Sequence, residues 1–428
     1  MIELTDDKLR FSFPNLAQHL RGLTDDYIRQ TLPRILEEDR DAGLDELLRS
    51  NYTFRRASVR DRENLQRLVH GLPPGRIEHA FQREVRSRAG LDSEWNKPGE
   101  LEIDFQRTLR IPDDGRDYFL PPGLGRFPLR HVDDYANRVS PPWMDRGGVL
   151  MPMYQAEALW LDFTTSYPFA VKVASGKINA VTGEPWRTGL NRRPQDYLVL
   201  PEQPWLDGFA VQKGIIRQFV AMPLGAGYSV EEQLSGKAEF GGIQIQVYPM
   251  KSEVYFQEEI LPGLPRRLVE LLPGLLPQPE HERENLCLRC AAPPRVSECA
   301  DMGLGAGGRM KQEIYEDPHD INVWDLSETS RCFVHLCNAL VWREITGTNP
   351  PHPPVTAKEY ERHSLPWFDF YRDDVAALEG SKTLAGVKSV ATLSKEKSAI
   401  AGNDSVETGH PVDCGPKKRQ QVREWACE

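Results

Sequence analysis

The sequence predicts an α+β protein with a helical N-terminal region, an antiparallel β-rich central domain of sandwich or barrel-like type, a helical C-terminal part and a disordered tail. Three observations carry that prediction. Between Met151 and Lys251, Phe169, Val171 and Val173 alternate with Ala170 and Lys172, and Ile243, Ile245 and Val247 alternate with Gln244, Gln246 and Tyr248. A period of two puts each apolar set on one face, which predicts half-buried strands. Upstream, LAQHLRGLTDDYIRQTLPRILEEDRDAGLDELLRS spaces its leucines as a helix does, with Pro33 as an interruption. After about Ala377 aromatics thin out and Ser, Lys, Gly and Thr dominate, a composition too poor in apolar surface to order itself.

Four segments follow: a helical region over 1–98, a β-rich core domain over 99–260, an α+β region packing on the core over 261–376, and a tail over 377–428. Within the core, Asp207-Gly208 between two apolar runs predicts a tight hairpin, because both residues tolerate positive φ. SRCFVHLCNALVWREI (330–345) reads as a buried amphipathic helix, and PPHPPV (350–355) as a stiff extended linker.

The 428 residues carry a net charge of −10, which argues against broad nucleic-acid or anionic-membrane binding. No run of 18 or more apolar residues occurs, so no membrane-spanning helix is expected. MIELTDDKLRF has no basic n-region leading into an apolar core, so no secretory signal is read there. All seven cysteines lie after residue 286, and their odd number suits a reducing compartment, the cytoplasm. The arginine-rich stretch from Arg55 to Arg88 reads as a solvated helical face rather than a polyanion site, and the helical N-terminal region as a whole is a candidate surface for a protein partner.

The chemistry-bearing candidates are four. In QFVAMPLGAGYSVEEQL (Gln218 to Leu234) a strand runs into Gly225 and Gly227, and Ser229 with Glu232 predicts a capping box opening a helix. Such a helix start offers backbone N–H groups to an anion, though Glu231 and Glu232 can occupy that end themselves. GLGAGG (Gly303 to Gly308) spells a dinucleotide fingerprint without a strand before it; Gly305, Gly308, Arg309 and Lys311 are the anion-binding candidates, and a close-packed loop before a helix is the plainer reading. Glu313, Glu316 and His319 are spaced for one side of a helix, which suits a divalent cation or simply a solvated acidic helix end.

The last candidate joins Cys287 and Cys290, a C-x-x-C pair, to Cys332 and His335, a C-x-x-H pair, as zinc-type ligands. The intervening length and the apolar surroundings of Cys332 favour ordinary buried thiols, so no cofactor is strongly implied. Lys172, Lys177, Lys213 and Arg217 suit either the mouth of a barrel or the surface. No nucleophile elbow, phosphate-binding loop, HExxH or kinase signature occurs.

YPFAVKVASGKINAVTGEPW, PQDYLVLPEQPWLDGFAVQKGIIRQFVAMPLGAGYSVEEQ and GLGAGGRMKQEIYEDPHDINVWD resemble a family of bacterial and fungal hypothetical proteins, over roughly residues 100 to 375. The resemblance implies no activity and no catalytic residues. Its loose integral-membrane label conflicts with the lack of an apolar span. The expectation is a soluble small-molecule-binding protein or enzyme, an accessory of fungal specialised-metabolite biosynthesis, with its site where Gly225–Ser229 and Gly303–Lys311 meet the sheet. The alternative is a non-enzymatic interaction or scaffold protein.

Overall fold

The computed structural model describes residues 1–37, 72–92, 98–267, 271, 301–370, 372, 374–397 and 411–413. The chain divides into two compact units, each assembled from separated stretches. One holds Met1–Phe11, Leu101–Pro249 and Cys290–Glu428; the other holds Ser12–Glu100 and Met250–Arg289.

The first unit is built on one large, mostly antiparallel sheet, so the protein is α+β with a β-rich centre. Its main path uses β1 (Ile2–Thr5), β2 (Lys8–Ser12), β3 (Glu100–Thr108), β4 (Ala158–Thr164), β5 (Phe169–Ser175), β6 (Leu198–Leu200), β7 (Ile215–Pro223), β8 (Ile243–Pro249), β9 (Asp301–Lys311) and β10 (Ser330–Asn338). Their order is β1-β2-β3-β4-β7-β9-β10-β8-β5-β6, an open path rather than a closed barrel. Val149–Met153 runs parallel to β10. The chain therefore begins with a hairpin rather than a helix. Asp6 and Asp7 both take positive φ, as a type I′ turn requires, without the glycine that usually signals one.

Several local expectations change. β5 and β8 are buried at all seven positions, not on one face. Asp207-Gly208 makes no hairpin: Trp205–Leu206 pairs with β4, while Gly208–Gln212 pairs with β7. That second hairpin turns at Lys213-Gly214, where Gly214 supplies the positive φ. Residues 330–345 begin as strand β10 and become helix α1 of this unit (Ala339–Thr346) only after Asn338, whose side chain accepts from the Leu340 N–H. A short apolar run buried on both faces has no alternation to reveal it as a strand.

GLGAGG lies inside β9, not in a loop. A Cβ on Gly305 would stand 2.7 Å from Val390 Cγ2, and one on Gly308 2.3 Å from the Pro112 carbonyl oxygen. The glycines flatten the strand so that neighbouring segments lie directly on it. One such neighbour is the helix Val390–Glu396, whose Val390 and Leu393 pack with Ala158, Val220, Met222 and Tyr228. The expected tail thus contains packed structure up to 397; residues 398–410 and 414–428 lie outside the described residues. The segment PPHPPV is pinned rather than free, since Tyr154 Oη donates to the Pro351 carbonyl at 2.9 Å.

In the second unit the helices Pro14–Glu37 and Pro74–Arg88 share a core with Phe256 and Ile260, built on Leu20, Ile28, Ile35, Phe81 and Val85. Pro33 sits inside the first helix, which continues to Glu37. No helix among the described residues is long and apolar enough to cross a membrane.

Candidate functional site

Register across β5, β8 and β10 lines up two rows of side chains. Lys172, Gln246 and Arg331 stand opposite one another, and so do Ala174, Gln244 and Phe333. Residues directly opposite in a sheet share a face, and positions two apart along each strand do too. Both rows therefore lie on one face.

The Lys172 ammonium, 1% exposed, gives its three protons to Asp196 Oδ2 at 2.6 Å, the Arg187 carbonyl at 2.8 Å and the Gly189 carbonyl at 2.6 Å. Burial pushes the Asp196 carboxyl up, and Lys172 draws it back down. The Gly189 N–H donates to Tyr248 Oη at 2.9 Å. These bonds pin the loop from Trp186 to Asp196 over β5 and β8, which is why their polar positions are buried. Lys172 is a structural cation with nothing left to donate.

Beside it, three cations are held against aromatic rings. Arg331 donates to Gln244 Oε1 and lies 5.2 Å from the Trp186 ring centre. Gln244 passes the chain of bonds to the Gly176 carbonyl at 2.5 Å. The next residue, Lys177, holds its ammonium 4.1 Å from the Phe240 ring. The Arg146 guanidinium is 4.4 Å from Phe240 and 5.4 Å from Phe333, and donates to the Glu239 carbonyl at 3.0 Å. None of Arg146, Lys177 and Arg331 has an ion-pair partner among the described residues.

The Phe240 turn is fixed from below. Buried Glu231 accepts from the Gly241 N–H at 2.7 Å and the Phe240 N–H at 3.2 Å, and burial holds its carboxyl above the ordinary range. A Cβ on Gly176 would stand 2.2 Å from Glu231 Oε2, so only glycine fits there.

The chain matches no protein-family model, no curated protein and no solved structure.

Apart from Lys177, the residues singled out from sequence fall elsewhere. Ser229 and Glu232 form the expected capping box. The Glu232 carboxylate accepts from the Gly227 N–H at 2.7 Å and the Ser229 N–H at 3.1 Å. The donors that would cradle an anion at Gly225–Ser229 therefore already hold one, and the helix Val230–Ser235 is a single short piece. The two glycine segments do meet, but protein atoms fill the contact: a Cβ on Gly303 would be 2.9 Å from Ser229 Cβ, and one on Gly305 2.9 Å from the Tyr228 carbonyl oxygen. Arg309 pairs with Asp117 at 2.6 Å, and Lys311 lies 4.2 Å from the Phe119 ring.

Cys332 and His335 are three residues apart on one strand, so their side chains leave opposite faces and do not converge on one ion. Burial pushes the Cys332 thiol up to about 12 and His335 down to about 4. His335 is neutral, stacked on Trp143 and tilted against Phe333, with Nε2 against the Gly147 carbonyl at 2.9 Å. Cys287 and Cys290 lie outside the described residues. No group of three His, Cys, Asp or Glu side chains among the described residues is arranged to hold a metal ion.

Glu313, Glu316 and His319 lie in irregular chain, not on a helix. The organising residue there is Asp317, which accepts from Tyr197 Oη at 2.6 Å and Trp324 Nε1 at 2.9 Å. An open cleft of about 590 Å³ lies beside it, lined by Asn191, Arg192, Arg193, Pro318, His319, Asp320 and Ile321. Of the four cations considered for a barrel mouth, Lys172 is buried, Lys213 pairs with Glu379 at 3.4 Å and Arg217 with Asp113 at 3.3 Å; Lys177 alone belongs to the cationic face. Sequence reasoning missed Arg146, Trp186, Phe240, Phe333 and Arg331. The one available signal was Gln244 and Gln246 inside an otherwise apolar strand.

Proposed function

We propose that the protein binds an anionic small molecule on the face formed by Arg146, Lys177, Arg331, Trp186, Phe240 and Phe333. The observation that carries this reading is that three cations are held against aromatic rings with no carboxylate within ion-pair distance among the described residues, Glu231 and Asp301 acting on Arg146 only from further off. Each cation–ring contact contributes about 0.5–1 kcal/mol where exposed, enough to orient a long side chain but not to neutralise it. A carboxylate or phosphate arriving there gains charge-assisted hydrogen bonds with the charges already oriented. Lys172 differs, because Asp196 satisfies it.

The test is calorimetric and fluorescence titration with benzoate and inorganic phosphate, Trp186 serving as reporter. Lys177→Gln and Arg331→Gln are each expected to weaken benzoate by about tenfold, the equivalent of roughly 1.4 kcal/mol. No heat and no fluorescence change with either anion, or equal affinity in the variants, would remove this face as a ligand site. The scaffold reading would then be the one to pursue, starting from pull-downs with and without residues 1–98.

A further inference from the structure

Two polar atoms on this face lack partners among the described residues: Gln246 Oε1 and Trp186 Nε1. Gln246 is 4% exposed, so its carbonyl has no recourse to bulk water. Its amide orientation is set by its neighbour. Thr329 Oγ1 donates its single hydrogen to the Val247 carbonyl at 3.0 Å, so it can only accept from Gln246 Nε2, at 3.1 Å. The carbonyl end of Gln246 is therefore the free end.

The two residues flank the same pair of cations. Gln246 stands in register between Lys172 and Arg331, and both of those cations lie against the Trp186 ring, at 5.4 and 5.2 Å. Lys172 cannot serve Gln246, because its three protons are committed to Asp196, Arg187 and Gly189. Arg331 is exposed and has bonded only Gln244, leaving guanidinium N–H groups for an incoming acceptor. The set offers one buried acceptor, one indole donor and one cation at its rim.

We infer that the ligand of this face is a hydroxylated aromatic acid, its hydroxyl donating to Gln246 Oε1 and accepting from Trp186 Nε1 while its carboxylate meets Arg331. The inference rests on the anion-binding reading above and adds the neutral end of the ligand. A hydroxyl donates and accepts at once, which matches one acceptor and one donor on the same face. The neighbouring rings suit a planar body better than an aliphatic one. A site with a buried acceptor discriminates against the analogue lacking the hydroxyl, because that analogue leaves the acceptor unpaired.

The experiment compares benzoate with 2-, 3- and 4-hydroxybenzoate by calorimetry on the full chain. At least one hydroxybenzoate is expected to bind about tenfold tighter than benzoate. Trp186→Phe, which keeps a ring and removes the N–H, and Gln246→Met, which keeps the volume and removes the carbonyl, should each bring the ratio of hydroxybenzoate to benzoate affinity, measured within the same variant, towards one. If Gln246→Met fails to fold, the half-buried Trp186→Phe still decides the matter. Benzoate bound with no preference for any hydroxybenzoate overturns this inference and leaves the anion site standing. A preference that survives both variants overturns it as well, and no binding of any of the four acids overturns both readings.

Discussion

Asp207 provides a prediction whose size follows from its surroundings. Its carboxyl is 2% exposed and accepts from Gln312 Nε2 at 2.9 Å, while its own N–H donates to Gln312 Oε1 at 3.0 Å. No cation pairs with it among the described residues, and the nearby Asp162 carboxylate opposes its ionisation. Burial, the larger cause, together with Asp162 pushes it up to about 7. An unfolded aspartate titrates near 3.9, a difference of about 3 units, or roughly 4 kcal/mol. The folded state holds this proton more tightly than the unfolded state does. Stability from this group is therefore complete below about pH 4 and is lost as pH rises to about 7 and beyond.

Asp207→Asn removes the ionisation while keeping an oxygen for Gln312 to reach. Between pH 5 and pH 8 the wild type is expected to lose about 3 kcal/mol more stability than Asp207→Asn, the remainder having gone below pH 5. Urea unfolding of both proteins at the two pH values measures this directly, with the slope checked for constancy. A difference between the two proteins that is the same at pH 5 and pH 8 would refute the account of a buried, proton-holding carboxyl.

Other outcomes follow from the same packing. Lys172→Met strands the Asp196 carboxylate and two carbonyls beneath their loop, which should cost about 3–5 kcal/mol; adding Asp196→Asn should return part of that, a coupling readable in a double-mutant cycle. Gly305→Val drives a side chain into Val390, so the helix Val390–Glu396 should lift from the sheet and lose amide-exchange protection ahead of β7 and β9. Cys332 and Cys337, both buried and both with thiols pushed up to about 12, should resist iodoacetamide at pH 8 in the folded protein and react only on unfolding.

Local rules carried part of this far. The alternation in Phe169–Ser175 and Ile243–Pro249 does mark strands, and Ser229 with Glu232 does open a helix with a capping box. Each depends on residues within a few positions of one another, where spacing alone sets the geometry. Prediction failed where a segment was buried on both faces, as with β10, or where a common signal had a second use. Asp207-Gly208 moves the chain between partner strands, and GLGAGG thins a strand for its neighbours. The candidate site was harder still, since Arg146, Lys177, Trp186, Phe240, Gln246 and Arg331 are scattered over nearly two hundred positions.

By itself, the sequence determined that this chain makes short strands in its centre, helices near its start and no apolar span, because periodicity and composition act locally. Tertiary structure decided which cations are satisfied and which stand against rings. Lys172 and Lys177 are five residues apart and chemically alike, yet one is locked to Asp196 and the other rests on Phe240. That difference comes from the register of β5 against β8 and β10 and from the loop pinned above them. Such register is set by long-range pairing, for which no short stretch of sequence contains the partner.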